Sequence, residues 1–162
     1  MSISAAQCRA ARALLNLSQS DVAEAAHISA PTVGAFERHG KVPAYNNLQA
    51  IRTALEAAGI LFIPENDGGA GVRLRDSQHG ETLGETELSP DLCRAARNLL
   101  DLSQLDLAEA AGVGRSTVAD SERGARRPTP ANLTFLRDAL EAAGVIFIGA
   151  DEAAGPGVRL RK

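Results

Sequence analysis

A chain of 162 residues is long enough for one ordinary domain or two small ones, and its hydrophobic content of 44% is enough for packed cores. Aromatic residues make up only 3% and tryptophan is absent, so the cores must consist of Ala, Leu, Ile and Val, as in small helical bundles. The sequence starts without a signal-peptide apolar region and has no apolar run of membrane-spanning length, which favours a cytosolic protein. The net charge of −3 argues weakly against a nucleic-acid partner, although the distribution of charge matters more than its sum.

The chain repeats itself. The motif Cys8-Arg-Ala-Ala-Arg12 returns 85 residues later at Cys93, and Ala54-Leu-Glu-Ala-Ala-Gly59 returns at the same offset. Roughly half of the positions from 8 to 63 are identical, far above chance, and two copies are too few for a solenoid. The sequence therefore predicts two duplicated domains, over residues 1–75 and 89–162, joined by an acidic linker over 76–88.

Each copy has the pattern of four helices. The first helix begins after Ser4, which Gln7 matches as the reciprocal partner in a capping box, and its counterpart begins after Ser89 with Pro90 in the first position. The fourth helix of each copy ends at a glycine that can take a positive φ, Gly59 or Gly144. The predicted bounds are about 5–15, 19–26, 30–37 and 46–58 in the first copy, and 104–111, 115–122 and 131–143 for the last three helices of the second.

A pair of short strands follows the fourth helix in each copy. Residues 60–63 and 72–75 are apolar or alternating and flank a turn-rich segment, and residues 145–148 and 158–161 repeat this pattern. A lone two-stranded hairpin is marginally stable in water. We therefore expect the two hairpins to pair, either with each other in one chain or across a dimer.

The second and third helices of the second copy form a recognisable unit. Ser103 can cap the first of them, with Asp106 completing a capping box, and Gly112 supplies a tight turn. The next helix would bury Val118 and present its other face to solvent. Two short helices joined in this way are a helix-turn-helix, whose second helix can lie in the major groove of DNA.

These features resemble the Xre / lambda-repressor-like (Cro/cI-type) helix-turn-helix family, and the chain carries them twice. The resemblance implies a mainly α fold of two tandem four-helix domains, each followed by a short β-hairpin. It also implies a sequence-specific bacterial regulator that binds double-stranded DNA, with no enzymatic activity and no cofactor. The residues that carry it in the second copy are Leu-Ser-Gln at 102–104, Asp106, Leu107-Ala108, Ala111-Gly112-Val113, Thr117-Val118, Glu122-Arg123 and Pro128.

The resemblance implies that bases are read from the start of the third helix and from one turn later. In the second copy these positions hold Arg115, Ser116, Thr117 and Asp120. Arg115 can bond guanine O6 and N7 as a bidentate donor, whereas Asp120 can accept from cytosine N4 or merely orient Arg115.

The matching positions of the first copy hold Ala30, Pro31 and Thr32, with Ala35 a turn later. Such a face can touch thymine methyl groups but offers almost no hydrogen bonds. The first copy therefore either reads an A·T-rich half-site through apolar contact or has become a docking module for a protein partner.

The resemblance also implies contacts to the phosphate backbone. A glutamine at the start of the second helix, Gln19 or Gln104, would clamp a phosphate together with free backbone N–H groups. Basic charge is concentrated near the third helix of the second copy, and it is weaker in the first. The expected basic phosphate contacts are Arg38, Lys41, Arg123, Arg126 and Arg127.

Two further pairs match a structural feature of the family that ties the first helix to the end of the third. They are Arg12 with Glu37 and Arg97 with Glu122. Cys8 and Cys93 occupy equivalent core positions, where a small buried apolar residue is expected more than a redox switch. The cysteines and histidines have no metal-ligand spacing.

The predicted function is a regulator, most simply a repressor that occupies an operator in the nucleoid. A linker of 13 residues spans about 43–47 Å when extended, which exceeds the 34–36 Å between half-sites one helical turn apart. One chain can thus act as an intramolecular pseudo-dimer, while a homodimer through the hairpins is the other arrangement. The competing function is a protein-interaction module of the antitoxin or antirepressor type, with secondary or no DNA binding.

Overall fold

The computed structural model describes residues 2–76, here the first half, and 88–162, the second half. Apart from its ends at Asp76 and Leu88, the predicted linker lies outside the described residues. The first half contains α1 (Ala5–Leu14), α2 (Gln19–Ala25), α3 (Ala30–His39), α4 (Tyr45–Ala57), β1 (Ile60–Ile63) and β2 (Gly71–Leu74). The second half contains α5 (Pro90–Leu99), α6 (Gln104–Ala111), α7 (Arg115–Arg123), α8 (Pro130–Ala142), β3 (Val145–Ile148) and β4 (Gly157–Leu160). The predicted fold class is confirmed.

Local signals set the helix ends. The capping boxes of Ser4 with Gln7 and of Ser103 with Asp106 both form, and Ser18 makes a third with Asp21. The third helix of the first half runs two residues beyond its predicted end because the left-handed residue that ends it is Gly40, with φ 59°. Elsewhere the predicted bounds hold to within one residue.

The four strands form one antiparallel sheet in the order β1-β2-β4-β3. In its central pair Val72 lies opposite Val158, and these are equivalent positions of the two copies. A pseudo-two-fold axis therefore passes through this pair. Of the two expected arrangements, the hairpins pair with each other within one chain.

The central strands approach each other closely at two glycines. A Cβ atom on Gly71 would lie 2.4 Å from the carbonyl oxygen of Val158, and one on Gly157 would lie 2.3 Å from that of Val72. No side chain fits there without moving the strands apart. These glycines thus permit the pairing that unites the hairpins.

The hydrophobic core is continuous across the two halves. The helices α1 and α5 pack against each other, and buried residues of both halves belong to one apolar cluster. Both helices bury alanines completely, among them Ala10 and Ala95, and such small side chains allow close packing. The predicted bounds 1–75 and 89–162 thus describe the two copies of the sequence repeat, and the two copies share one hydrophobic core. Among the described residues, none of the helices has the length and apolarity needed to cross a bilayer.

Candidate nucleic-acid interface

The turn between α6 and α7 leaves the start of α7 open. Gly112 ends α6 with φ 68°, and Val113 donates back to the carbonyl of Ala108 at 3.0 Å. The N-cap of α7 is Gly114, which has no side chain to accept from the first backbone N–H groups. The positive end of the helix dipole and unpaired donors therefore meet at this tip, which suits a negatively charged partner.

The predicted reading residues of the second half lie at this tip. Arg115 and Ser116 are exposed, while Thr117 and Asp120 are half-buried. The carboxylate of Asp120 accepts from Arg123 Nη2 at 2.5 Å. In the structure Asp120 therefore pairs with Arg123, and it does not orient Arg115 as one of the two expectations had it.

A cleft of about 230 Å³ joins these residues to the basic segment that follows α7. One wall of the cleft is formed by α7, and the opposite wall is formed by the α7–α8 connection and the start of α8. The fold therefore brings predicted base-reading and phosphate-contacting residues together at one surface. The residues that line the cleft are Ser116, Thr117, Asp120, Arg126, Arg127, Pro128, Thr129 and Asn132.

The start of α3 in the first half is built differently. Ser29 caps it, accepting from the backbone N–H of Thr32 at 3.4 Å, and the two hydroxyl oxygens lie 2.7 Å apart. The one hydroxyl predicted to read bases there is thus already bonded. Ala30 is half-buried and packs against the core, whereas Pro31 is exposed.

The equivalent arginines Arg38 and Arg123 also differ in direction. A Cβ atom placed on Gly34 would lie 2.9 Å from Arg38 Nη2, so the Arg38 guanidinium covers that glycine. The second half has Ala119 at this position, and Arg123 instead pairs with Asp120. The two arginines thus point in different directions where the second half has the methyl group of Ala119 and the carboxylate of Asp120.

The two glutamines predicted to clamp phosphates bond inside the protein. Gln19 Nε2 donates to Glu37 Oε2 at 2.8 Å, and Gln104 Nε2 donates to Glu122 Oε2 at 3.1 Å. Each amide nitrogen carries a second hydrogen. Phosphate contact through that hydrogen stays a prediction.

Buried ion pairs fix the third helix of each half to its first. Arg12 donates to both oxygens of Glu37 at 3.0 Å, and Arg97 donates to those of Glu122 at 2.6 and 2.9 Å. The two glutamate side chains are 1% and 3% exposed. Since Arg12 also donates to the carbonyl of Leu17, it holds the start of α2 as well. Bidentate pairs of this kind set the orientation of α3 and α7.

Sequence reasoning missed two arginines that connect the halves. Arg9 donates to the carbonyls of Glu37 at 2.6 Å and of Asn98 at 3.1 Å, and Arg94 donates to those of Glu122 at 2.5 Å and of Ala13 at 2.8 Å. Each thus bonds the end of its own third helix and the first helix of the other half. The available signal was the repeated Cys-Arg-Ala-Ala-Arg motif, in which a second arginine recurs on a largely buried helix.

The cysteines are fully buried. Burial, together with the nearby carboxylate of Glu37, raises the pKa of the Cys8 thiol far above its usual value, and burial raises the pKa of Cys93 to about 12. Both thiols are therefore protonated and unreactive at neutral pH, which favours the buried apolar role over a redox switch. Within residues 2–76 and 88–162, no three His, Cys, Asp or Glu side chains lie together in a way that could hold a metal ion.

A comparison with protein families agrees with this geometry. A helix-turn-helix family of the Xre / lambda-repressor-like type matches residues 9–57 and again residues 94–142, together more than half of the chain. This family is a DNA-binding regulatory domain and not an enzyme family. No curated protein matches the chain. The chain therefore belongs to the Xre / lambda-repressor-like helix-turn-helix family of DNA-binding transcriptional regulators and carries the family's domain twice.

Proposed function

We propose that the chain binds a specific duplex sequence through α7 and represses transcription by occupying an operator that overlaps a promoter. The observation that carries this proposal is the open tip of α7, where exposed Arg115 and Ser116 adjoin a cleft lined by Arg126 and Arg127. Base-reading donors and phosphate-binding cations thus share one surface. Occupation of the operator needs no cofactor.

The roles follow from the chemistry of the major groove. Arg115 is exposed and bonds no other described residue, so its guanidinium is available for guanine O6 and N7. Arg123, with 68% of its side chain exposed, and Arg126 would contact phosphates on either side. The Arg97–Glu122 pair holds α7 at a fixed angle to α5 while these contacts form.

The test begins with sequences selected from a random duplex pool, followed by titration of the best binder. Arg115→Ala should weaken binding to the selected duplex by about 5- to 150-fold, the equivalent of 1–3 kcal/mol per bidentate contact. It should change binding to a scrambled duplex far less. Arg161→Ala is a matched control, because it removes the same charge at an exposed site beyond the sheet. Equal losses for both variants would contradict base reading by Arg115.

The apolar α3 face favours a second candidate, a protein-interaction module in which DNA binding is secondary. Ala30, Pro31 and Ala35 offer no hydrogen-bonding side chain. The two candidates differ in their response to mixed genomic fragments. A regulator enriches particular fragments and shows a steep fall in affinity with salt, because bound phosphates release counterions. An absence of enrichment at physiological salt would favour the interaction module.

A further inference from the structure

The geometry points to an operator that is not a palindrome and is filled by a single chain. We infer one half-site containing guanine under α7 and a second, A·T-rich half-site whose thymine methyl groups pack on α3. This inference rests on the proposed function of α7, and it goes further by assigning a DNA half-site to the first half of the chain. The ligand of α3 is the same DNA duplex that α7 binds, at a neighbouring half-site.

The scaffold fixes the relation between the two recognition helices. The β2–β4 pairing and the α1–α5 contact both lie across the pseudo-two-fold axis, and Arg9 and Arg94 bond each third helix to the opposite half. Helix-turn-helix dimers place two such helices in successive major grooves of a two-fold operator. Here one covalent chain supplies both helices, so a second copy is not needed.

The first half retains groups suited to a DNA backbone. Gln19 bonds Glu37 as Gln104 bonds Glu122, and both Arg38 in the last turn of α3 and Lys41 just after the helix are exposed. Tyr45 begins α4 and is 74% exposed, so its hydroxyl is free to donate to a phosphate. These groups match the hydrogen-bond donors and cations that contact phosphates. They favour DNA as the occupant.

The centre of the same surface has lost its hydrogen-bonding side chains. Pro31, Ala35 and Val42 stand at the positions of Ser116, Asp120 and Arg127, three of the residues that line the cleft of the second half. Val42 is 66% exposed, although it is apolar. Thr32, the remaining hydroxyl, is bonded to Ser29. The thymine C5-methyl is the apolar group that base edges present in the major groove, so this surface selects thymine and cannot pair with the hydrogen-bonding groups of G·C.

The experiment first defines the operator. Duplexes selected from a random pool should share two unequal half-sites with centres about one helical turn, 10–10.5 bp, apart. One half-site should contain guanine and the other should be rich in thymine. Sedimentation equilibrium on the full chain with the selected duplex should give one chain per duplex.

The second step removes the methyl groups alone. Replacing thymine by deoxyuridine in the A·T-rich half-site keeps base pairing and should weaken binding about three- to four-fold per contacted methyl. The same replacement outside both half-sites is the matched control and should change nothing. Ala35→Asp gives the first half the residue found at Asp120 in the second, and it should abolish the effect of deoxyuridine.

The outcomes separate the inference from the proposed function. A selected palindrome bound by two chains overturns the inference and leaves sequence-specific binding intact. A single guanine half-site, with no preference on its other side and no deoxyuridine effect, also overturns it, because the α3 face then reads no bases. If no sequence is enriched, the proposed function itself fails.

Discussion

The two halves keep the same buried network between the first, second and third helices and differ where they face a ligand. Arg12, Glu37 and Gln19 form the same three-membered network as Arg97, Glu122 and Gln104. In contrast, the helix tip is Ala-Pro in one half and Arg-Ser in the other. Removing one member of a buried charged network leaves the others uncompensated, whereas exposed substitutions usually change stability by only about 0.5 kcal/mol. Duplicated copies can therefore diverge at the reading surface while the support beneath it stays fixed.

The halves also anchor their hairpins differently. Gln7 is 4% exposed and donates to the carbonyls of Ile63 at 2.8 Å and Gly71 at 3.1 Å, so hydrogen bonds hold α1 to the first hairpin. The second half has buried Leu92 at the equivalent position, which can offer only apolar contact. The two halves thus share a pseudo-symmetric backbone, but some of the side chains that stabilise it differ between them.

The largest expected effect tests whether the buried networks are equal. Glu37→Ala and Glu122→Ala should each lower the free energy of unfolding by about 3–5 kcal/mol, because each removes the buried partner of a mostly covered arginine and leaves that charge uncompensated. Urea unfolding followed by circular dichroism measures this. Glu109→Ala, at an exposed helical position, is the control and should have little effect. If either buried variant unfolds like the wild type, the networks are not equivalent.

The next effect tests the contact between the halves. Arg9→Met and Arg94→Met should each cost about 1.5–3 kcal/mol per lost charged hydrogen bond, since both arginines bond carbonyls of two helices. The wild-type chain should unfold in one transition because its core is continuous. Two separated wild-type transitions in the same urea titration would mean that the halves fold independently.

A smaller effect concerns acid. Hydrogen bonds from the backbone and hydroxyl of Ser18 lower the pKa of Asp21 below the usual 3.8, and Ser103 does the same for Asp106. Backbone N–H groups and Arg73 lower the pKa of Asp151. A lowered folded-state pKa stabilises the fold above the unfolded value, and this contribution is lost as the pH falls through the folded value.

The urea midpoint should therefore fall as the pH drops below about 4. Asp21→Asn and Asp106→Asn should each remove an equal part of that dependence if the halves are equivalent. Asp151→Asn should remove a part that has no counterpart among the described residues of the first half. A midpoint independent of pH between 5 and 2.5 would rule out these contributions.

The smallest effect tests why Arg38 and Arg123 differ. Gly34→Ala should stabilise the chain by about 0.5 kcal/mol, because alanine is the better helix former and the nearest atom belongs to the end of the long, exposed Arg38 side chain, which has room to turn aside. Ala119→Gly should cost about 0.5–1 kcal/mol. Thermal unfolding of the two variants and the wild type measures both changes in stability. A destabilised Gly34→Ala would show that Arg38 and Gln19 are held firmly over the glycine.

Much of the local structure was predictable from the sequence. The repeat gave the two helix-turn-helix units, and capping residues and glycines gave most helix bounds to within one residue. These signals act over a few residues, as when Ser103 bonds Asp106 or Gly112 takes a positive φ. The exposed position of Arg115 followed from the same periodicity, because one face of a short amphipathic helix must remain in solvent.

The tertiary structure alone decided how those units combine. Whether the hairpins pair within one chain or across a dimer was visible only in the tertiary structure, where β2 pairs with β4 of the same chain and Gly71 and Gly157 leave room for that pairing. The roles of Arg9 and Arg94 depended on carbonyl groups 89 and 81 residues away in the chain. The sequence analysis gave cytosine N4 or Arg115 as the partner of Asp120, and the fold brought Arg123 to it instead. Contacts of this kind depend on where distant segments meet, which no local pattern of residues specifies.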